Sequence, residues 1–212
     1  MLEKFRKKLL ESGPIEDALW QEIQRQAKYL EVKKGDELVQ YYSVSTDLFF
    51  VLKGSFVVSQ ITEQGDSKAV WFHFDDVFEY VGSPDSLFSG ESTKYEIKAL
   101  EDGKVIKFPK EVIDVWVKTY PSFNQIFIET IVHDFITIYD ARSSLLTYST
   151  LEFLRYTQEK FPFILEKLPA HYIADFLGIT PEWYSKLKKK LSTWINSRAL
   201  WSSYDILGFL KH

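Results

Sequence analysis

The chain has 212 residues, of which 45% are hydrophobic, 26% charged and 17% aromatic, with four histidines, no cysteine and a formal net charge of −4. This length allows one or two domains with cores of their own, and the absence of cysteine excludes disulfides, thiolate catalysis and Cys-held zinc or iron–sulfur clusters. No apolar run reaches the roughly 18 residues of a membrane span, and MLEKFRKKLLESG lacks the continuous apolar stretch of a secretory signal, so a cytoplasmic protein with no membrane partner is expected.

Charge is unevenly placed. Residues 1–149 hold 17 Lys and Arg against 24 Asp and Glu, and residues 150–212 hold 9 against 6. An acidic body with a basic end suits a chain whose end meets a polyanion.

In chain order, PIEDALWQEIQRQAKYLEV (14–32) places Ile15, Leu19, Ile23 and Ala27 at helical spacing, with Pro14 in the first turn. VKKGDELVQ reads as a Gly-Asp turn between short strands. DLFFVLKGSFVVSQI (47–61) reads as two strands broken at Lys53-Gly54, and QGD (64–66) turns the chain into KAVWFHF (68–74). TKYEIKALEDGKVIKFP (93–109) reads as a strand pair around a tight Asp102-Gly103 turn, followed by a helix over 110–121. Strands at such intervals point to an all-β barrel or sandwich.

Residues 121–147 carry Phe123, Phe127, Ile131, Phe135, Ile138 and Leu145 mostly at steps of three or four, widened by Ile128, Val132 and Tyr139. The spacing predicts a helix of about seven turns. Two apolar faces suit packing on the β domain and on a twin helix; a single buried core helix is the alternative. We expect the twin, with Phe127, Ile131, Phe135 and Ile138 in a homodimer interface.

PAHYIADFLGITPEWYSKLKKKL (169–191) predicts a short helix, a left-handed Gly178, and a second helix capped by Thr180 with Pro181 in its first turn. Ala174 is small enough for a close crossing, and Tyr184, Leu187 and Leu191 form the inward stripe. This is the spacing of a helix-turn-helix, with a plain helical hairpin as the alternative. Its DNA-binding candidates are His171, Thr180, Glu182, Trp183, Ser185, Lys186, Lys188 and Lys189. The tail, residues 192–212, is apolar enough that we expect it to fold back on the small domain.

His73, Asp75, Asp76 and Glu79 are candidates for acid–base or metal chemistry, but solvated carboxylates at a hairpin end explain them as well. Glu91-Ser92-Thr93 has no histidine near it in sequence, and no glycine-rich phosphate loop of the Walker or dinucleotide type is present. We therefore expect no catalytic residue, metal or cofactor, and no enzyme.

KKGD, LFFVLKGSFVV, DDVFEY, IKALEDGKVIKFP, the long helix and the helix-turn-helix follow one another as in the Crp/Fnr family of bacterial transcription regulators, which the chain resembles over nearly its whole length. The resemblance implies an α+β fold: an N-terminal jelly-roll β-barrel of cyclic-nucleotide-binding type (1–120), a dimerisation helix (121–147), and a C-terminal winged-helix-like helix-turn-helix domain (148–212). It implies a homodimer bound to double-stranded DNA, with RNA polymerase as a further candidate partner. Nucleotide-binding members carry a Gly-Glu pair that holds the ribose, and an Arg-Ser or Arg-Thr pair about ten residues on that holds the phosphate. Here Glu79 follows Phe78, and Thr93-Lys94 stands in place of the Arg pair, which argues against cyclic AMP or GMP. The effector is unknown, and its pocket candidates are Trp71, Phe78, Glu79, Tyr80, Thr93 and Lys94. A ligand-binding or protein-interaction module that has lost DNA binding is the competing reading.

Overall fold

The structure is a computed structural model that describes residues 2–208, with side chains described as far as Asn196. The elements in chain order are α1 (Leu2–Glu11), α2 (Asp17–Gln26), β1 (Lys28–Val32), β2 (Glu37–Val39), β3 (Asp47–Lys53), β4 (Ser55–Ile61), β5 (Ser67–Phe74), β6 (Tyr80–Val81), α3 (Pro84–Ser89), β7 (Tyr95–Ala99), β8 (Gly103–Pro109), α4 (Lys110–Thr119), α5 (Pro121–Thr147), α6 (Thr150–Lys160), α7 (Ile164–Lys167), α8 (Ala170–Phe176) and α9 (Pro181–Gly208). They form two compact units, residues 1–140 and 141–212, whose boundary falls inside α5.

The first unit is a roll of two antiparallel four-stranded sheets, ordered β1-β8-β3-β6 and β2-β7-β4-β5. The two strand pairs expected as 47–61 and 93–109 are present, but their strands are not partners. β3 and β8 lie in one sheet, β4 and β7 in the other. The Lys53-Gly54 and Asp102-Gly103 turns are corners between sheets, not hairpins, and the two corners touch. Gly54 has φ +113, and a Cβ on Gly103 would lie 2.5 Å from the Lys53 carbonyl oxygen. Only chains without side chains here can cross this closely. β4 and β5 do form a hairpin, closed by the bond from Thr62 N–H to Asp66 O at 2.8 Å.

Period-2 alternation divides the first sheet between two cores. Phe49, Val51, Val81 and Val105 point into the roll, where they meet Val32, Val39, Phe56, Val58, Ile97 and Ala99 of neighbouring strands. Phe50, Ile106 and Phe108 point outward under Phe5 and Leu9 of α1, Leu19 and Ile23 of α2, Trp116 of α4 and Phe123 of α5. That sheet is thus covered on both faces.

The helix expected over 14–32 is shorter. α2 ends at Gln26 because Ala27 turns to extended backbone (φ −62, ψ 116), and KYLEV continues as an edge strand against β8. α1, to which no element was assigned, buries Phe5 and Leu9 one turn apart. The long helix spans the predicted residues 121–147. Its start is fixed by Glu16, whose carboxylate accepts from the Ser122 hydroxyl and, at 3.4 Å, from the Ser122 N–H.

The second unit contains helices and their connections, with no strand among its described residues. α6 opens with a reciprocal cap between Ser149 and Glu152. Phe153, Leu154, Leu165, Leu168, Ile173, Ala174, Tyr184, Leu187 and Leu191 form its interior. No strand follows α9 among the described residues, so the wing of the winged-helix form has no counterpart there. The tail was expected to fold back, but it extends α9 to Gly208, since STWINSRALWSSYDIL contains neither Gly nor Pro to stop it. Trp194 is half-buried, with the Arg155 guanidinium 5.3 Å from its ring. The expected packing of Leu200, Trp201, Tyr204, Ile206, Leu207 and Phe209 lies outside the described side chains.

Candidate functional site

α8 and α9 meet at Gly178. The Gly178 N–H bonds Asp175 O, and the Ile179 N–H reaches back to Ala174 O at 3.0 Å, with Gly178 at φ +64. This is the left-handed helix exit that the glycine allows. Ala174, Tyr184, Leu187 and Leu191 are buried, which fixes the rotation of α9. Thr180 caps it, accepting from the Trp183 N–H at 3.2 Å.

That rotation leaves Glu182, Trp183, Ser185, Lys186, Lys188 and Lys189 exposed, together with Lys190, and His171 is exposed at the start of α8. The structure therefore brings the predicted set onto one accessible helix and its flank. Trp183 is 45% exposed, so its indole is not folded away. Glu182's own backbone N–H and the Thr180 hydroxyl hold its carboxyl below the usual range, so at neutral pH it only accepts hydrogen bonds. The Ser185 hydroxyl donates to Pro181 O at 2.9 Å, leaving its lone pairs outward.

On α5, residues Ile128, Val132, Phe135, Tyr139, Arg142 and Leu146 are all exposed. Their steps of four and three are those of a heptad seam, and Phe135 is 66% exposed. Ile131 and Ile138 flank the seam and are also exposed. Phe127 is different: its ring stacks on Phe123 at 6.1 Å and lies 6.4 Å from Phe88, so it faces its own domain. Phe127 shares a side of the helix with Ile131 and Ile138, but it lies in the first two turns of α5, which pack on the β domain, so its expected placement in the seam is corrected accordingly.

The effector candidates do not converge. Trp71 and Phe78 touch edge to face at 5.1 Å. Tyr80 instead points outward to Phe5 and Phe50. Glu79 is buried and paired with Lys8 of α1 at 3.2 Å, while Lys8 also meets Glu11 at 3.3 Å. Glu79 and Tyr80 therefore belong to the docking of α1, not to a pocket in the roll. Nor do the acid–base candidates gather. Asp75 pairs with Lys4 at 3.5 Å, and His73 bonds Phe78 O at 2.8 Å through Nδ1. A carbonyl oxygen only accepts, so Nδ1 carries the proton. Burial lowers the His73 pKa to about 4, against the opposing effect of that bond.

The segment joining β6 to β7 (82–94), which includes α3, holds Thr93 and Lys94. Gly82-Ser83 lies ten residues before it, the spacing expected between the Gly-Glu and Arg pairs, so Ser83 rather than Glu79 is the residue opposite Thr93. Sequence reading missed Ser83 because the more conspicuous glutamate lay nearby. The hydroxyls of Ser83 and Thr93 are 2.5 Å apart. Ser83 also donates to Asp85, whose carboxylate accepts from the Ser86 N–H at 2.9 Å and the Lys94 N–H at 3.1 Å. Burial alone would raise the Asp85 carboxyl; the Ser83 hydroxyl and the two N–H groups outweigh it and hold it below its usual range. The loop preceding β3 is tied to the same place: Tyr42 N–H bonds Thr93 O, Thr93 N–H bonds Ser43 O, and Ser45 N–H bonds the Ser86 hydroxyl at 2.6 Å. Tyr42 (φ +59) and Phe78 (φ +56) are left-handed non-glycine residues on either side. Each costs about 1–2 kcal/mol that its surroundings must offset.

Residues 29–120 match the family model of the cyclic nucleotide-binding domain. No curated protein matches the chain in sequence. Among solved structures, it is similar to FixK2 from Bradyrhizobium japonicum, at 16% identity and a TM-score of 0.65, covering 79% of this chain and 85% of that one. It is also similar to CLP from Xanthomonas campestris, named as a c-di-GMP-responsive global regulator, at 11% identity and TM-score 0.62, covering 84% and 92%. A third is a chain from Eubacterium rectale provisionally assigned to the transcriptional regulators of the crp/fnr family, at 16% identity and TM-score 0.63, covering 84% of each. No helix among the described residues is long and apolar enough to cross a membrane.

Proposed function

We propose that this chain, which carries a cyclic nucleotide-binding domain within a Crp/Fnr-type regulator fold, is a cytoplasmic, homodimeric, DNA-binding transcription regulator whose β domain does not take cyclic AMP or GMP. The observation that carries the reading is the exposed face of α9. Tyr184, Leu187 and Leu191 are buried and Thr180 caps the helix, so Glu182, Ser185 and Lys186 are held outward in its first two turns. Those turns face base edges in this motif. An ionised Glu182 suits the amino group of cytosine, Lys186 suits guanine, and Lys188, Lys189 and His171 suit phosphates. The exposed indole of Trp183 suits a thymine methyl. Two such helices reach successive half-sites only in a dimer, for which the α5 seam supplies the surface. RNA polymerase is the further partner expected of such a regulator.

Titration of the purified protein with genomic DNA fragments over a salt series tests the proposal. Log affinity should fall linearly with log salt, as phosphate contacts require, and selection from the fragments should enrich a two-fold symmetric sequence. Affinity that ignores salt, with no enriched sequence, would replace this reading with that of an interaction module that has lost DNA binding.

A further inference from the structure

The hydrogen bonds of the 82–94 loop run in one direction. The Tyr95 N–H donates to Thr93 Oγ1 at 3.0 Å. Thr93 and Ser83 share one hydrogen bond at 2.5 Å, and Ser83 Oγ donates to Asp85. A carboxylate offers no proton, so the Ser83 proton goes to Asp85; the Thr93 hydroxyl lies against both Ser83 and Asp85, and its proton goes to one of those two acceptors. The relay ends on Asp85, which also accepts the N–H groups of Ser86 and Lys94. Ser83, Ser86 and Thr93 are fully buried, so their hydroxyls cannot turn to water instead.

We infer that Asp85 is a built-in anion of the 82–94 segment, and that its carboxylate fixes this segment, and through Thr93 and Ser86 the 40–46 loop, in one conformation without any external effector. Separate bonds from the residues that Asp85 holds tie the second loop in: Tyr42 N–H donates to Thr93 O, Thr93 N–H to Ser43 O, and Ser45 N–H to the Ser86 hydroxyl. A domain held in this way needs no bound ligand to become ordered. The inference rests on the regulator reading for its consequence: the DNA-binding form is then populated without effector, and control must come from the amount of protein or from another surface.

Two measurements test it, and neither uses DNA, so their failure is separable from failure of the DNA-binding reading. In the first, Asp85→Ala and the wild type are melted in chloride and in acetate at matched ionic strength. Asp85→Ala should melt several degrees lower in chloride and recover part of the loss in acetate, which restores a carboxylate to the vacated donors, while the wild type responds to neither salt specifically. Equal melting of the two proteins, or an equal response to acetate, would overturn the inference. In the second, the amide resonances of Ser86 and Lys94 are followed against pH in the wild type. They should move together, with one midpoint below the ordinary Asp range. Independent movement, or a midpoint at or above that range, would overturn it even if Asp85→Ala fails to fold.

Discussion

The hydroxyls of Ser83 and Thr93, ten residues apart in the chain, meet at 2.5 Å inside the fold, and neither side chain reaches solvent. Nucleotide-binding members of the family resembled carry a ribose-binding Glu and a phosphate-binding Arg at this spacing. Two short hydroxyls cannot take over those roles, because each is already committed to the other and to Asp85. Calorimetry with cyclic AMP and cyclic GMP should therefore give dissociation constants weaker than about 1 mM, an affinity below about 4 kcal/mol. Micromolar binding would show that the loop opens to admit them.

Acid should weaken the first unit through His73. Its pKa is about 4 in the fold and about 6.5 in the unfolded chain. Between those values the unfolded state binds more protons, so stability falls as pH is lowered through this window and is fully present above it. At about 1.4 kcal/mol per unit the loss is on the order of 3 kcal/mol. His73→Gln can still donate to Phe78 O and should melt at a temperature nearly independent of pH from 6.5 to about 5, above the range in which the depressed carboxylates take up protons. A slope equal to that of the wild type would assign the acid sensitivity to other groups.

The contact between corners predicts a sharp difference between glycines. Gly103→Ala would put a methyl 2.5 Å from Lys53 O, an atom of the backbone that cannot move alone. Denaturant titration should show a loss at or above the upper end of the about 1–3 kcal/mol typical of overpacking. Gly82→Ala, whose nearest atom would be Asp47 O at 3.4 Å, should lose clearly less. Equal losses would count against the crossing.

Phe135 is the most exposed phenylalanine of the α5 seam. Phe135→Asp puts a charge where two seams are proposed to meet, and unpaired buried charge is strongly destabilising. Sedimentation at micromolar concentration should show a dimer for the wild type and a monomer for the variant. The variant should keep the secondary structure of the wild type, since the side chain is exposed on its own subunit, while its melting falls by the lost dimer contribution. A monomeric wild type would remove the dimer from the proposal.

Glu182 and Lys189 should separate two kinds of contact. Losing a base-reading side chain costs about 1–3 kcal/mol and relaxes one position of the selected sequence, while losing a phosphate lysine weakens all sequences and flattens the salt slope. Glu182→Ala should therefore change the selected sequence, and Lys189→Ala only the affinity. If both behave as the wild type, the lysine face is a solvated surface.

The parts of the fold that could be read in advance carry local signals. The long helix, α8, Gly178 and the Thr180 cap follow from periodicity and from residues with special backbone or capping chemistry. Most strands followed from alternation and turns. Partnership between strands did not: Gly54 and Gly103 look like hairpin turns locally, and only the packing of two sheets makes them corners. The short α1 was passed over because its two buried side chains, Phe5 and Leu9, gain their meaning from Phe50 and Phe108, which lie far along the chain. Among the effector candidates, Glu79 stands out in the sequence because acidity is conspicuous. Its partner Lys8 lies 71 residues earlier, and the residue facing Thr93 is a serine, which carries no signature of its own.

β1 closes the roll by pairing with β8, Lys28 opposite Lys107 and Val32 opposite Gly103. Nearly the whole β domain lies between the two strands, so the last ladder forms only after the chain has searched over a large loop. Contacts this distant in sequence slow folding, typically to milliseconds or seconds. Until they form, the edges of β1 and β3 that β8 will cover stay open to other chains. The roll is therefore most vulnerable during synthesis, in the interval between the appearance of β1 and the emergence of residues 103–109. Holding the exit of those residues back, by slower translation or a truncation before Gly103, should turn a well-behaved protein into an aggregating one.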